Sequence, residues 1–353
     1  MEKVMVAMSG GVDSSVAALL LKEAGFSVAG VTMSFVNKAS DSASRKFEQK
    51  NIEDAKRIAN QLKIKHHTID FSKDLEDKVI TNFLKGYLSG KTPNPCVYCN
   101  KFIKFGSLLK KAKKLGFNFL ATGHYAKIVR ENDQFLLKKP KDKIKDQTYF
   151  IYSIKKENLA DILFPLADYK KEEVQTIAKE KQLAVFNKPQ SQDLCFILQQ
   201  KYTDFIKSKK EREKHGFIVN RDGEILGEHK GISFYTIGQR KGLGISAKEP
   251  LYVLSIDAKN NKIVVGEKKR LKKSGLIAGN LNLLVDVFPK KVKAKIRYAH
   301  KEAVCNLENY GKKLKVIFLY KQEAITPGQA VVFYNKDMVL GGGIIEEALD
   351  EHN

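Results

Sequence analysis

The chain has few cysteines, no long hydrophobic run and no common phosphate-binding signature. Four cysteines in 353 residues are too few for the disulfide framework of a small secreted protein. No apolar run approaches the roughly 20 residues that a membrane-spanning helix needs. The opening MEKVMVAM lacks the charged start, apolar stretch and cleavage site of a secretory signal. We therefore expect a cytoplasmic protein that has no membrane partner. The chain also has neither repeats nor low-complexity tracts.

Acidic residues are also in deficit. The chain has 63 Lys+Arg against 40 Asp+Glu, a formal net charge of +23. Such a surplus favours a polyanionic partner, with nucleic acid first and an anionic membrane surface second. The simpler interpretation is that lysine serves as a surface filler in the protein of an AT-rich genome.

Hydrophobic periodicity predicts an α/β protein. Residues 1–125 alternate short β-branched runs, such as KVMVAM and SVAGVTMSF, with helical patterns such as residues 51–62. Repeated βα units predict a parallel, Rossmann-like nucleotide-binding sheet. From about residue 275 short alternating runs predict a small antiparallel β-barrel or sandwich. We therefore expect one domain over 1–200, a small central domain over 201–274 and a C-terminal β-barrel over 275–350.

The segment SGGVDSS, residues 9–15, lies between the first strand and the first helix. Its glycines allow backbone N–H groups to approach an anion, and the helix directs its positive end to the same point. Asp13 could hold Mg²⁺ against a pyrophosphate. The Walker A pattern G-x-x-x-x-G-K-[ST] is absent. A tight turn capped by Ser14 is the alternative, but seven consecutive residues of this type favour a pyrophosphate-binding loop.

Cys96 and Cys99 form the chain's one C-x-x-C pair. This spacing is typical of a redox pair, a metal or cluster site, or a reactive thiol beside a helper group. Lys101 and Lys104 flank Cys99 and should favour its thiolate. Cys195 lies in an apolar stretch and by itself could be a buried hydrophobic residue, and we expect Cys305 to be structural. His66 and His67 are adjacent on a predicted strand, so they point to opposite faces and are not expected to bind metal together.

The loop SGGVDSS resembles the PP-loop of the ATP pyrophosphatases, which split ATP between its α and β phosphates and adenylate a substrate oxygen. The segments TPNPCVYCNKFIKFG, ATGHYAKI, KDQTYFIYSI, SQDLCFI, GQRKGLGI, KIRYAHKEA and TPGQAVVFY follow in this order. Together, over nearly the full length, they are similar to the tRNA-specific 2-thiouridylase family. That family thiolates the wobble uridine of some tRNAs. The resemblance implies that residues 1–200 form the PP-loop catalytic domain and that residues 201–274 form a tRNA-binding domain.

The resemblance implies roles for individual residues. Cys99 matches the nucleophile and Cys195 the cysteine that carries a persulfide, so thiol–disulfide exchange between them is implied. The matching ATP contacts are Ala7, Met8, Ser9, Gly10, Gly11, Val12, Asp13, Ser14, Met33 and Gly123. The positions matching contacts to the target base or tRNA are Asn94, Pro95, Cys96, His124, Lys145, Asp146, Gln147, Arg297, Tyr298 and Gln329. The implied partners are tRNAs for Lys, Glu and Gln and a sulfur donor, such as a cysteine desulfurase or a relay protein.

The sequence departs from the family at two places. Many members have Asp where this chain has Cys96, and that carboxylate is assigned an acid–base role. With a thiol there, either another group moves protons, or Cys96, Cys99 and Cys195 hold a [4Fe–4S] cluster that carries the sulfur. The residues before Cys195, SQDL, also differ from the common STGI.

Two rival functions stay open from the sequence. A lysidine-type tRNA synthetase shares the PP-loop but needs no cysteine pair, and a non-catalytic tRNA-binding protein would use ATP only as a conformational ligand. ATP and Mg²⁺ are the expected cofactors, with a [4Fe–4S] cluster as an alternative for the sulfur.

Overall fold

The structure is a computed structural model that describes residues 1–36, 41–189, 195–197, 202–209 and 214–350. The chain folds into two compact units. Unit 1 comprises Met1–Val79, Cys96–Leu198 and Asp337–Val339. Unit 2 comprises Ile80–Pro95, Gln199–Lys336 and Leu340–Asn353. The residues before Cys195 at which the sequence departs from its family, 191–194, lie outside the described residues.

Unit 1 is built on a parallel sheet. Its strands are β1 (Lys3–Ala7), β2 (Ser27–Ser34), β3 (Lys65–Asp70), β4 (Phe119–Thr122) and the short β7 (Ile162–Leu163). Between β4 and β7 in the chain, β5 (Lys127–Glu131) and β6 (Gln134–Lys138) form a hairpin outside this sheet. The sheet order is β3-β2-β1-β4-β7. The chain therefore steps outward from β1 through β2 and β3, then returns to pair β4 on the other side of β1. Ligands of open parallel sheets bind at such a switch, beyond the carboxyl ends of the strands.

The helices are α1 (Val12–Glu23), α2 (Ser42–Gln61), α3 (Ser72–Leu75), α4 (Thr81–Leu88), α5 (Pro95–Tyr98), α6 (Leu109–Lys114), α7 (Thr148–Ile151), α8 (Lys171–Glu180) and α9 (Tyr202–Lys209). Most of them lie between these strands in the chain, whereas α4 and α9 belong to unit 2. A π-helical turn, Glu76–Ile80, joins α3 to α4, and a longer π-helical segment, Cys99–Leu108, joins α5 to α6. No described helix has the length and apolar character required to span a membrane.

The core of unit 1 follows the pattern read from the sequence. Val4 and Val6 of β1 are fully buried against Val16 of α1 and Ile58 of α2, and Val174 of α8 completes the cluster. Apolar residues at helical spacing thus cover the apolar strands, which fixes β1 and the loop after it at the centre of the unit.

Unit 2 contains a four-stranded sheet. Its strands are β8 (Gly216–Val219), β9 (Ile225–His229), β10 (Tyr252–Asp257) and β11 (Lys262–Gly266), in the order β10-β11-β8-β9. Ile218, Val253 and Ile263 form its buried core. The helix α4 belongs to this unit in space, because Phe83 packs on Phe205 and Tyr87 stacks on Tyr202, with ring centroids 6.3 and 5.0 Å apart.

The rest of unit 2 is a closed antiparallel barrel. Its strands are β12 (Lys272–Leu283), β13 (Lys291–Lys295), β14 (Ala303–Tyr310), β15 (Lys313–Glu323), β16 (Ala330–Asn335) and β17 (Met338–Leu349). The order β12-β15-β14-β13-β16-β17 closes because β17 pairs with β12. In β15, Leu314, Val316 and Phe318 alternate inward, as a half-buried strand requires.

The predicted fold class is confirmed: a parallel nucleotide-binding-type sheet comes first and an antiparallel barrel comes last. The boundaries at residues 200 and 274 stay predictions. The segment Ile80–Pro95, which falls within the predicted first domain, belongs to unit 2 in the folded chain.

Candidate active site

The loop of residues 9–15 connects β1 to α1 at the carboxyl edge of the sheet. Ser9 N–H donates to Ser14 Oγ at 3.2 Å, and the hydroxyls of Ser14 and Ser15 donate to the Gly11 carbonyl at 3.1 and 2.9 Å. The serines thus fold the loop onto itself at the start of α1. A helix amino terminus with this loop in front of it has the geometry of an anion site.

Two glycines of this region are required by close backbone approach. Gly10 has φ +70°, and a Cβ there would lie 2.4 Å from the Asn51 carbonyl oxygen. A Cβ on Gly123, which follows β4, would lie 2.7 Å from the Ser14 nitrogen. The structure therefore brings the predicted nucleotide residue Gly123 against the loop of residues 9–15. The other predicted contacts, Ala7, Met8 and Met33, lie at the carboxyl ends of β1 and β2.

Lys188, which lies far along the chain, binds the loop of residues 9–15 through hydrogen bonds. Its Nζ donates to the Gly10 carbonyl at 2.9 Å, to Asn51 Oδ1 at 2.8 Å and to Asp54 Oδ2 at 2.7 Å. Because Asp54 is buried on α2, the lysine links the loop to that helix.

Asp13, the predicted Mg²⁺ ligand, is paired with a lysine. Lys171 Nζ lies 2.6 Å from Asp13 Oδ1, and the Tyr125 hydroxyl donates to the same oxygen at 2.9 Å. Asp142 Oδ2 accepts from the Lys171 backbone N–H at 2.9 Å and so fixes the start of α8. A single carboxylate fits Mg²⁺ that is held mainly by phosphate oxygens and water, provided the ion replaces the Lys171 ammonium.

Cys96 and Cys99 lie at the start of the long helical segment that precedes β4. In a βα unit such a helix runs antiparallel to the strands, so its amino end is at the carboxyl edge of the sheet, where the phosphate-type loop is. The contact between the rings of Phe105 and His124, 5.8 Å apart, ties this segment to the end of β4. Cys99 is buried, whereas Cys96 and Cys195 retain exposed surface.

The three cysteines of unit 1 influence one another electrostatically. Burial is the main cause that raises the pKa of Cys99, and the neighbouring Cys96 raises it further. Burial, followed by Cys99 and Cys96, raises the pKa of Cys195 to about 12. Cys195 thus has exposed surface although its sulfur is desolvated. All three thiols are protonated at neutral pH in this state.

Lys104 is the cation that acts on these thiols. It lowers the pKa of Cys96, Cys99 and Cys195 against the effect of burial. Lys101, which was expected to act in the same way, is not among the charges that act on them, and its Nζ lies over the Phe102 ring, 5.5 Å from the centroid. The reason is helical geometry: Lys101 follows Cys99 by two positions, and residues two apart point to different sides of a helix.

Other candidate groups have structural surroundings. Among the residues described, no three His, Cys, Asp or Glu side chains are arranged to hold a metal ion. Cys305 is buried in β14, and burial raises its pKa to about 12. His66 lies 2.9 Å from Thr32 Oγ1, and burial with nearby Lys56 and His67 lowers its pKa to about 4.

His124 follows Gly123 at the end of β4. Its Nδ1 lies 2.7 Å from Thr122 Oγ1, and its ring contacts Phe105 and Phe164. Burial, assisted by Lys104, holds the pKa of His124 well below its usual range. The imidazole is therefore neutral at pH 7 and cannot serve as a cation for phosphate.

The segment of Lys145, Asp146 and Gln147 also lies in unit 1. Asp146 is buried and its Oδ1 accepts from Thr148 N–H at 2.9 Å and Thr148 Oγ1 at 2.6 Å. Gln147 Oε1 accepts from Tyr125 N–H at 2.9 Å. Both side chains shape the loop before α7, and Lys145 N–H donates to Asp142.

The remaining predicted tRNA positions, Asn94, Pro95, Arg297, Tyr298 and Gln329, are in unit 2. Gln329 Nε2 donates to the Thr92 carbonyl at 2.8 Å, two residues before Asn94. Arg297 Nη2 donates to the Ile237 carbonyl at 3.0 Å and to Thr326 Oγ1. Tyr298 is half-exposed and lies under Lys295 Nζ, 5.2 Å from the ring centroid.

Sequence reasoning missed Lys171, Lys188, Asp142 and the contact between Thr122 and His124. Each lies far along the chain from its partner or lacks a motif. Lysines are so numerous here that no local signal distinguishes these two from surface lysines.

Comparison with known proteins covers the whole chain. A tRNA methyl transferase HUP domain model matches residues 2–199, a tRNA methyl transferase PRC-barrel domain model matches 203–267, and an aminomethyltransferase beta-barrel domain model matches 273–345. The tRNA-specific 2-thiouridylase MnmA 1 of Syntrophus aciditrophicus is 49% identical over 100% of this chain and 95% of its own length. The tRNA-specific 2-thiouridylase MnmA of Clostridioides difficile is 46% identical over 99% of both chains. With this identity over its full length, the chain belongs to the tRNA-specific 2-thiouridylase family.

Proposed function

We propose that this protein is an ATP-dependent transferase that replaces the C2 oxygen of the wobble uridine of tRNA with sulfur. One observation carries the proposal. Lys104 acts on Cys96, Cys99, Cys195 and His124, and His124 is adjacent to Gly123, which touches the loop of residues 9–15. A phosphate-type loop and reactive sulfur thus belong to one region of unit 1.

The first step is activation of the uridine. Its C2 carbonyl is a poor electrophile and its oxygen a poor leaving group. Attack of that oxygen on the α-phosphorus of ATP releases pyrophosphate and makes the oxygen part of an AMP leaving group. The backbone N–H groups around Ser9–Ser14 would bind the phosphates, and Asp13 would hold Mg²⁺ once the ion displaces Lys171. Fixed dipoles and charges of this kind stabilise charge that develops on the leaving pyrophosphate.

The second step is sulfur transfer. A donor loads Cys195 as a persulfide, whose outer sulfur ionises more readily than the thiol. That sulfur attacks C2 and AMP departs, which leaves tRNA joined to Cys195 through two sulfurs. The Cys99 thiol then loses its proton to solvent, and its thiolate attacks the Cys195 sulfur, releases the 2-thiouridine and forms a Cys99–Cys195 disulfide. A cellular dithiol must reduce that bond before the next turnover.

The substrate class is supported by charge and by the relatives. The relatives are named tRNA-specific 2-thiouridylases, and the net charge of +23 suits a polyanion. By the same resemblance we assign the Lys, Glu and Gln tRNAs as substrates. Arg297, Tyr298 and Gln329 are the side chains of unit 2 that we assign to tRNA contact.

The test is reconstitution with ATP, Mg²⁺, a persulfide donor and unmodified tRNA. We expect AMP, pyrophosphate and thiolated tRNA, which migrates slowly on a mercury-containing gel. Cys99→Ser and Cys195→Ser should abolish thiolation, whereas the control Cys305→Ala should preserve it. Unchanged tRNA mobility with folded wild-type protein would refute the proposal, and full activity of both serine variants would point to a lysidine-type enzyme.

A further inference from the structure

The proposed adenylation requires a proton acceptor. Uracil is a lactam whose N3–H lies beside the attacking C2 oxygen. When that oxygen bonds to phosphorus, the ring becomes cationic and N3–H becomes strongly acidic, so the proton must leave to give a neutral adenylated base. After sulfur displaces AMP, the thiocarbonyl product carries a proton on N3 again. The site therefore needs a group that takes one proton and later returns it.

Most polar groups near the site cannot accept this proton. Lys104 is a cation. Asp13 Oδ1 already accepts from Lys171 and Tyr125. Cys96 and Cys99 are protonated because burial raises the pKa of both thiols, so neither offers a thiolate to take the proton.

His124 has the placement and form that the acceptor requires. It follows Gly123, whose backbone touches Ser14 of the loop, and it shares Lys104 with the cysteines. Its Nδ1 lies 2.7 Å from Thr122 Oγ1, and the rings of Phe105 and Phe164, which also contact each other, pack against the imidazole. No hydrogen bond from the described part of the chain reaches Nε2, which leaves that nitrogen for the substrate.

We propose that His124 is a catalytic base in the adenylation: Nδ1–H donates to Thr122 Oγ1, and the Nε2 lone pair takes the uracil N3 proton and returns it after sulfur transfer. This inference rests on the proposed function. It assigns His124 a chemical role rather than a contact to tRNA, and it makes Thr122 a positioning residue that selects the tautomer.

The electrostatics agree with this role. Burial and the Lys104 cation keep the pKa of His124 below its usual range, so the ring is neutral and able to accept a proton at pH 7. A base of low pKa is adequate because O-adenylation makes N3–H far more acidic than in free uracil. The rate should therefore be level above pH 7 and fall only at acid pH, where His124 is protonated. Lys104 is the charged group that acts on the ring.

The experiment measures single-turnover release of pyrophosphate, and of the AMP that follows it, with ATP, Mg²⁺, a persulfide donor and unmodified tRNA on the full chain. We expect His124→Gln to slow AMP formation about 10²- to 10⁴-fold, the usual contribution of a general base. The Kd of His124→Gln for tRNA should change less than about threefold, because we assign His124 a chemical role rather than a contact to tRNA. The control His67→Gln, on β3, should match the wild type.

Two further readouts separate chemistry from structure. The acid limb of the wild-type pH–rate profile should disappear in His124→Gln, and imidazole should restore part of the activity of His124→Ala. Thr122→Val should slow AMP formation with little effect on the KM for tRNA, while Thr122→Ser should restore it.

The outcomes are distinguishable. If the wild type forms no AMP with tRNA, the proposed function itself fails. If the wild type forms AMP and His124→Gln does so within about threefold of it, His124 is not the base. A loss of tRNA affinity that accounts for the whole rate defect would likewise overturn the inference and leave His124 as a binding residue.

Discussion

Lys104 is the charged side chain that the cysteines of unit 1 share as a neighbour. Since it lowers the pKa of Cys99 and Cys195 while burial raises both, its removal should make the thiols more basic. A thiolate is the reactive form. We predict that Lys104→Met slows alkylation of both cysteines by iodoacetamide at pH 8, by about tenfold for each unit that the pKa rises.

The matched control is Lys101→Met, because Lys101 is not among the charges acting on these sulfurs. Site-specific alkylation is read by mass spectrometry across about pH 7–10, where the thiolate fraction of both cysteines still rises with pH because burial raises their pKa. The Lys104→Met profile should move to higher pH. Equal rates in the two variants would show that Lys104 does not control the thiols.

Cys96 distinguishes the two routes for sulfur. In the persulfide route Cys96 does not carry the sulfur that is transferred. The thiolation rate of Cys96→Ser should therefore stay within about threefold of the wild-type rate, since a small change at a neighbouring position perturbs the site weakly. In the cluster route it would be a ligand, and its loss would abolish both activity and bound iron.

Anaerobic purification with iron and sulfide analysis accompanies the activity assay of Cys96→Ser. We expect no stoichiometric iron, in keeping with the absence of a metal-holding group among the described residues. Four irons per wild-type chain, lost in the variant, would reverse this assignment.

At the scale of elements, the turn from β1 into α1 depends on Gly10. Its φ of +70° favours glycine, and a Cβ would lie 2.4 Å from a backbone oxygen of α2. Gly10→Ala should therefore displace the loop and weaken ATP binding at least about tenfold, as a lost main-chain anion contact would. Gly25, which follows α1, also has a positive φ of +85°, but a Cβ there would meet no neighbour within 4 Å.

Gly25→Ala is accordingly the control for backbone strain alone. We expect it to cost about 1 kcal/mol of stability and to leave ATP affinity unchanged. Affinities come from calorimetry and stabilities from urea unfolding. If both variants bound ATP equally, close approach of the loop to α2 would not matter for the nucleotide.

At the scale of the whole molecule, α4 shows that the two units do not follow the order of the chain. This helix lies between two segments of unit 1 in the sequence but belongs to unit 2. Phe83 is 1% exposed and packs on Phe205 of α9. We predict that Phe83→Ala costs about 3–5 kcal/mol and that hydrogen exchange rises first in α9 and Ile232–Phe234 of unit 2, not in β1 and β4. Phe47→Ala, at a side chain that is 41% exposed, should have a small effect. Faster exchange confined to the sheet of unit 1 would contradict the placement of α4.

Local sequence determined much of this protein. The spacing of apolar residues and the β-branched runs predicted β1, α1, β2 and β3. A strand that packs against the next helix needs apolar residues at regular spacing, and that spacing is visible in the sequence. The loop of residues 9–15 could be recognised because its glycines and serines are contiguous. Alternation also predicted the strands of the C-terminal barrel, though not whether the sheet would close.

Tertiary structure decided what depends on residues far apart in the chain. The pairing of β12 with β17 closes the barrel, the packing of Phe83 on Phe205 assigns α4 to unit 2, and Lys171 meets Asp13 across 158 positions. Nor could spacing distinguish Lys104 from Lys101, or show that His124 is neutral. These properties arise from burial and from charges assembled by folding, and a single sequence states which side chains exist but not which of them are desolvated together.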